Sequence, residues 1–340
     1  MTRLSSVLLA SLSLSFAACA IDDVDVSSTD QAATGEQGLA GAPEPHVMPQ
    51  RGDVGNPFGG GGGGTKSPNL TNKAPGPVLV ASKTMAIFWG PEWANPAFAG
   101  TKITGLERFF QRFGGSTFSN TNTEYTHKDG RYVTSSVTYS GKLFDTNTAP
   151  KRPPSTSGLA TEICSVLNAQ GVAPDPDTVY FAYTSTTAGH VSYCAWHSYG
   201  TCNGVTIQTA YMPNIDNLAG CDPKDTTTGH DEPLAALANV TAHELSEAIT
   251  DPHLDAWQDS SGYENADKCA WKWDGTVPFS TYATVDNGDG TFSTVVTDTE
   301  QWKLQMNWSN AAYDAGTTHA GVRGCIQQEA AAWSPTATWL

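Results

Sequence analysis

Positive charge is scarce in this chain. Lys and Arg number 18 against 34 Asp and Glu, giving a net charge of −16 and a pI near 4.7. That balance excludes nucleic acid as a partner, because phosphates need a basic face. It also excludes electrostatic docking on anionic lipid. The acidity reads as solubility in an extracellular milieu. Long apolar runs are missing too: beyond the N-terminal segment, none is apolar enough to span a bilayer. No C-x-x-C pair occurs, so a thiolate zinc site is not expected. No G-x-S-x-G elbow occurs, which argues against Ser/His/Asp chemistry.

What is present begins with an export signal at residues 1–20. Arg3 supplies the charge and Leu4–Phe16 the short apolar region. Phe16-Ala17-Ala18-Cys19 reads as a lipobox, while Ala18-Cys19-Ala20 fits ordinary signal cleavage. The lipoprotein reading is favoured, because the cysteine directly follows two alanines. The expectation is an exported protein, either secreted or an outer-membrane lipoprotein, touching the membrane only through a lipid on Cys19. Oligomeric state is not legible. Residues 21–75 are rich in Asp, Ser, Thr, Pro and Gly, with the run Gly59–Gly64. They read as a disordered tether, with too little apolar surface to offset ordering entropy.

From residue 76 to 340 the pattern is that of one α/β (α+β) domain. Pro77–Gly90 reads as a buried strand. Leu106, Phe109, Phe110 and Phe113 make a helical stripe in Ile103–Phe113. Arg131–Ser140 alternates as a strand. Ser157–Gln170 reads as a helix with Ser157 as N-cap and Gly171 past its end. Thr178–Thr184 and Gly204–Met212 read as strands, Pro233–Thr250 as a helix stopped by Asp251-Pro252, and Gln301–Trp308 as a strand. Asp286–Gly290 reads as a hairpin turn rather than a calcium loop. With Cys19 set aside, cysteines 164, 194, 202, 221, 269 and 325 remain, an even number that suggests disulfides. Fifteen connectivities are open, and 194–202 closes the shortest loop among the first four.

The helix Pro233–Thr250 carries His243-Glu244-Leu245-Ser246-Glu247. This H-E-x-x-E resembles the H-E-x-x-H of zinc hydrolases, with Glu in the final place. Positions 243 and 247 share one helix face, so an imidazole and a carboxylate can reach one Zn²⁺. Glu244 then stands as the general base.

The residues around the motif sharpen this. Asp251-Pro252, Asp255-Ala256-Trp257 and Glu264-Asn265-Ala266-Asp267-Lys268-Cys269 resemble the plant EXORDIUM, or phosphate-induced, family. There the stretch looks like H-E-L-x-E, a Pro, N-A-W, then E-x-G-D-x-C. Gly76-Pro77-Val78-Leu79 with Ile87-Phe88-Trp89-Gly90 is similar to the family's opening motif. Tyr193–His197 after Thr178–Thr184 looks like its strand followed by a Cys and a His. Leu304–Trp308 and Cys325 are similar to its closing segment. The match covers roughly residues 76–327. Ala266 replaces a Gly, and the spacer between Trp257 and Glu264 is short. The resemblance implies an exported, surface-associated protein and a disulfide between Cys269 and Cys325. It supplies no reaction.

Two ligand sets follow. In one, His243 and Glu247 are completed by Glu264, in a segment that resembles the Glu of gluzincins, and Asp267 orients His243. In the other, His197 joins His243 and Glu247 to restore two imidazoles and one carboxylate, with Glu264 and Asp267 supporting the ligands from behind. His190, His253 and His319 are weaker candidates. His253 should point away from His243, while His230 and Asp231 should serve the helix start. Trp196, Trp257, Trp271 and Trp308 read as core rather than as a sugar platform. The expected architecture is a single zincin-like domain, with a mixed sheet, an active-site helix and disulfides. The expected function is a Zn²⁺-dependent hydrolase, most simply a peptidase, acting on a peptide or cell-wall substrate. The alternative is a non-catalytic surface-binding module with a structural metal or none.

Overall fold

Thr178–Thr184 contains no turn former and no charge, and it is buried at every position. Val179, Phe181 and Tyr183 enter one apolar cluster, and Tyr180 and Ala182 enter another. A strand buried on both faces needs a layer on each side of its sheet. That arrangement appears in a computed structural model that describes residues 43–53, 68–279, 282–286, 292–296 and 300–327.

The strands of the main sheet are β1 (His46–Pro49), β3 (Ser82–Trp89), β4 (Val137–Asp145), β5 (Thr178–Thr184), β6 (Tyr193–Cys202) and β7 (Val205–Met212). Their order is β1-β6-β7-β5-β3-β4. β4, β3, β5 and β7 run parallel, β6 is antiparallel to β7, and β1 is antiparallel to β6. This is the mixed sheet of an α/β chain. A small pair, β2 (Thr71–Asn72) with β8 (Trp257–Gln258), lies apart from it.

A short α1 (Pro96–Ala99) leads into α2 (Lys102–Phe113), whose Leu106, Phe109, Phe110 and Phe113 are fully buried, as their spacing predicts. α2 and α4 (Glu232–Thr250) pack on one sheet face, and α3 (Thr156–Ala169) packs on the other. Two glycines permit close approach. A Cβ on Gly105 would overlap Leu234 of α4, and one on Gly200 of β6 would overlap Ala160 of α3. α4 is central: every residue from Leu234 to Thr250 is buried. Asp231 caps its start by accepting from Leu234 N at 3.2 Å.

Several boundaries differ from the sequence reading, each for a local reason. Pro77–Val80 stays outside β3, because Leu79 N donates to Ile249 O at 2.9 Å, at the end of α4. Residues 131–136 are a loop, and Thr134 N donates to Val80 O. The α3 cap is Ser155, not Ser157: its hydroxyl accepts from Gly158 N at 3.1 Å. Gln301–Trp308 is two pieces, β12 (Glu300–Trp302) and β13 (Asn307–Trp308). Between them Gln305 N turns inward to donate to Asn239 Oδ1 at 2.8 Å. β9 (Val277–Phe279) pairs with β12. β10 (Tyr282–Asp286) and β11 (Phe292–Val296) form an antiparallel pair; 287–290 of the expected turn lie outside the described residues.

Three disulfides are present: Cys164–Cys202, Cys194–Cys221 and Cys269–Cys325. The last is the pairing that the resemblance implies. A 194–202 bridge is replaced because those cysteines lie eight residues apart at opposite ends of β6, too far for the usual Cα separation. Trp196, Trp271 and Trp308 are core, and partly buried Trp257 donates its Nε1–H to Thr126 O at 2.8 Å.

The largest correction concerns 21–75. Part of that stretch is built into the domain: β1 lies on the sheet edge, β2 pairs with β8, and Met48 is fully buried. Trp271 Nε1–H donates to Pro49 O at 2.8 Å, and Arg51 N donates to Gly220 O at 2.8 Å. One large apolar anchor and backbone pairing are enough to dock a segment whose average composition is polar. Met48→Ala is therefore expected to destabilise the protein by about 2–4 kcal/mol, the usual cost of truncating a buried methionine. Denaturant unfolding checks this, since a loose tether would give no measurable change.

Candidate metal centre

β6 alternates across the sheet. Trp196 packs on Tyr211, on the α3 side, while Ala195 joins the cluster on the α4 side. The same alternation points His197 toward α4. His197 was expected to follow a strand; it sits within one. Opposite it, α4 presents His243, Glu244 and Glu247, all fully buried. Glu247 is thus no solvated helix face.

The remaining carboxylates arrive on the loop after α4, which is ordered by buried acids. Asp251 accepts from Asp255 N and Ala256 N at 2.7 Å each, and from Gln258 Nε2 at 2.7 Å. Asp259 accepts from Ser261 N at 2.8 Å and pairs with buried Lys268 at 3.0 Å. Asp267 and Cys269 stand in one helical turn, and Cys269–Cys325 fixes its end. Asp267 N then donates to Glu247 Oε1 at 2.9 Å, and Glu264 N to Asp267 Oδ2 at 3.3 Å.

All six expected site residues therefore converge. His243 Nε2 is 3.1 Å from Glu247 Oε1 and 3.5 Å from Asp267 Oδ1. His197 Nδ1 is 3.2 Å from Glu244 Oε2 and 3.5 Å from Glu247 Oε2, and its Nε2 is 3.6 Å from Glu264 Oε2. His190, His253 and His319 stay outside; His253 packs on Tyr199, and His319 pairs with Asp274. His230 lies at the start of α4, stacked on Trp302.

Two members were missed. His46, from β1, places Nδ1 at 2.7 Å from Glu264 Oε2 and 3.5 Å from Asp267 Oδ2. Its signal was a lone histidine in a Pro- and Gly-rich stretch. Gln305 places Nε2 at 2.6 Å from His243 Nδ1. The Gln305 amide is oriented by two backbone groups: Nε2 donates to Ala266 O at 3.1 Å, and Oε1 accepts from Trp271 N at 3.3 Å. In that orientation His243 Nδ1 accepts, and the neutral ring carries its proton on Nε2. His243 becomes a ligand through Nε2 only if this amide turns over. His197 needs no change: Nδ1–H donates to Glu244, leaving Nε2 bare, as second-shell carboxylates do for metal-bound imidazoles.

The electrostatics are unusual for an interior. Burial raises Glu244, Glu247 and Glu264 above the ordinary carboxylate range. Burial, reinforced by His46 and His243, pushes His197 well below its ordinary value. Burial opposes charge on His46 and His243, but Glu264 and Asp267 for the first, and Glu247 and Asp267 for the second, outweigh it. Both are raised well above the ordinary value. Burial also opposes ionised Asp267, but its bonds to His243 and His46 win and hold it low. Glu244 Oε1, Glu247 Oε2, Glu264 Oε1 and His197 Nε2 have no hydrogen-bond partner, whereas Glu264 Oε2 and His243 Nε2 face ion-pair partners at 2.7 and 3.1 Å.

These buried groups could hold a metal ion. The donors of His46, Glu247, Glu264 and Asp267 lie within 4.8 Å of one another, and so do those of His197, Glu244 and Glu247. Ligands bound at about 2.0–2.1 Å in a tetrahedron stand roughly 3.3 Å apart, close to the spacings above. A pocket of about 540 Å³, lined by His46, Val47, Tyr263 and Asp267 among others, adjoins the cluster.

No family model and no curated protein sequence matches this chain. Its chemistry is read from the geometry.

Ionised carboxylates without water are costly to bury unless paired. In chelator-treated protein, Glu264→Gln is expected to raise the melting temperature, by roughly 2–4 °C for each kcal/mol recovered. The same substitution is expected to weaken Zn²⁺ binding. Thermal melts with and without Zn²⁺ read both signs.

Proposed function

We propose that the protein is an exported metal-dependent hydrolase, most simply a peptidase. A divalent ion, taken as Zn²⁺, would be held by His197, Glu247 and Glu264, and His243 would be available to it only with the Gln305 amide turned over. The observation that carries this reading is the set of bare donor atoms converging in fully buried side chains. Unsatisfied buried polar atoms are rare, and each needs a reason; a bound cation would supply one for those of His197, Glu247 and Glu264. Imidazole and carboxylate donors are compatible with Zn²⁺, as with other first-row divalent ions.

When bound, the ion would supply Lewis acidity and a water of lowered pKa. Glu244 takes the part of general base. Its Oε2 accepts from His197, while Oε1 has no partner and is open to a proton. The raised carboxyl pKa that burial gives Glu244 brings it nearer neutral pH, where a base is most effective. Asp267 holds Glu247 in place through its backbone amide. The pocket beside His46 and Asp267 is where a substrate would approach.

Three disulfides are consistent with an oxidising, exported setting. No helix among the described residues is long and apolar enough to cross a membrane. The proposal keeps the lipidated Cys19 and the place beside the EXORDIUM-type proteins, on the ordered motifs quoted above.

One observation favours the second reading, a surface module with a structural metal: His197, His243, Glu244, Glu247 and Glu264 are all fully buried. Two substitutions separate the readings. His243→Ala is expected to lose metal and stability together, because binding to the folded state adds to its stability. Glu244→Gln is expected to keep metal near one per chain while peptide hydrolysis falls ~10²–10⁴-fold. Metal analysis with a peptide-hydrolysis assay checks both. Unchanged hydrolysis in Glu244→Gln removes the peptidase, and absence of stoichiometric metal in the wild type removes the centre.

A further inference from the structure

β1 is a short edge strand on a long tether-like stretch, yet it brings a histidine to the most buried charge cluster in the domain. In the β1–β6 register His46 stands opposite His197. Directly opposed residues share a sheet face, so both rings turn toward α4; their centroids are 5.9 Å apart. Glu264 Oε2 lies between them, 2.7 Å from His46 Nδ1 and 3.6 Å from His197 Nε2. His46 is also the cluster's most exposed member, at 22% against 0–6% for the others. One side of its ring meets the carboxylates, and the other lines the 540 Å³ pocket.

We infer that His46 is a ligand of the proposed metal centre, and that the bound ion latches strand β1 to the domain. This rests on the metal reading given above. His46, Glu247, Glu264 and Asp267 form one of the two donor groups compact enough for an ion. The independent observation is that Glu264 Oε1 is buried without a hydrogen-bond partner, while Oε2 faces His46 and His197. That donor group joins His46 of β1 to Glu247 of α4 and to Glu264 and Asp267 of the loop after it, so one ion there would tie the strand to the domain.

The latch follows from linkage. β1 is docked without an ion by its ladder to β6 and by buried Met48, and an ion on His46 would add to that hold. Here the other ties flank His46: Pro43 O accepts from Thr156 Oγ1 at 3.0 Å, and Gln50 N donates to Ser192 O at 2.8 Å. If His46 completes the site, only the docked strand binds the ion at full strength. Docking then tightens with loading by the ratio of the two affinities at saturating ion, about 10-fold if loss of His46 weakens binding ~10-fold. An open strand would expose the carboxylates to the pocket, so the latch also controls access to the site.

The test uses the full chain and Zn²⁺ alone. Zn²⁺ affinity is measured by competition with a chromophoric chelator for wild type and His46→Ala. Amide hydrogen exchange across β1, at His46, Val47 and Met48, is followed in wild type with Zn²⁺ and after chelation, which needs no variant. The expected result is an affinity loss of at least ~10-fold in His46→Ala, a conservative figure for loss of a metal-site partner. Exchange across β1 is expected to quicken on chelation. Unchanged affinity in His46→Ala, or exchange indifferent to Zn²⁺, overturns the latch and leaves the metal centre standing. Wild type that binds no Zn²⁺ overturns both.

Discussion

The structure depends on the burial of ionisable groups beneath a helix with almost no solvent face. From Leu234 to Thr250, α4 is enclosed by the sheet, α2 and the loop that follows it. Most helices in that position would carry apolar residues throughout. This one carries His243, Glu244 and Glu247, and the protein surrounds them with more of the same chemistry. Taking carboxylates out of water is costly unless something opposes their charge. His46, held toward protonation by Glu264 and Asp267, does part of that, and donor atoms still remain without partners.

The scaffold is arranged to make that burial specific. Asp251 and Asp259 do no chemistry at the centre; they fold the chain between α4 and Glu264 by accepting backbone amides. Lys268, buried beside Asp259 and over the Trp308 ring, extends the same ordering into the core. Tyr125 and Asn307 tie the far side down through Trp308 O and Ser246 Oγ. The site is thus supported by groups that are themselves locked, the condition for holding donors to a few tenths of an ångström.

Much of this was legible wherever a short-range rule operates. The stripe of α2 follows from helical period, β5 from an uninterrupted run of β-formers, and the 243–247 pair from one helical turn. The convergence of His197, Glu264 and Asp267 came from motif resemblance, and no spacing rule could have placed them. His46 was invisible because composition averages over a window, and Met48 is one anchor in a polar stretch. The α3 cap slipped by two because Ser155 and Ser157 offer the same hydroxyl, and only geometry selects between them. Gln305 carried no signal at all: an amide's value lies in its orientation, which two distant backbone groups set. The cysteine pairs depended on which ends of β6 face which neighbours.

Those cysteines carry a consequence of their own. β6 is bonded near its start through Cys194–Cys221 and at its end through Cys202–Cys164. His197 lies between the two clamps. A slip of one residue along β7 would send its imidazole to the α3 side, into hydrocarbon. With both ends anchored in sulphur, that slip is closed to the folded chain. The two bridges and the register of β6 therefore act together to keep His197 on the α4 side. In a reducing cytosol the same polypeptide would lack the clamps that keep its imidazole aimed.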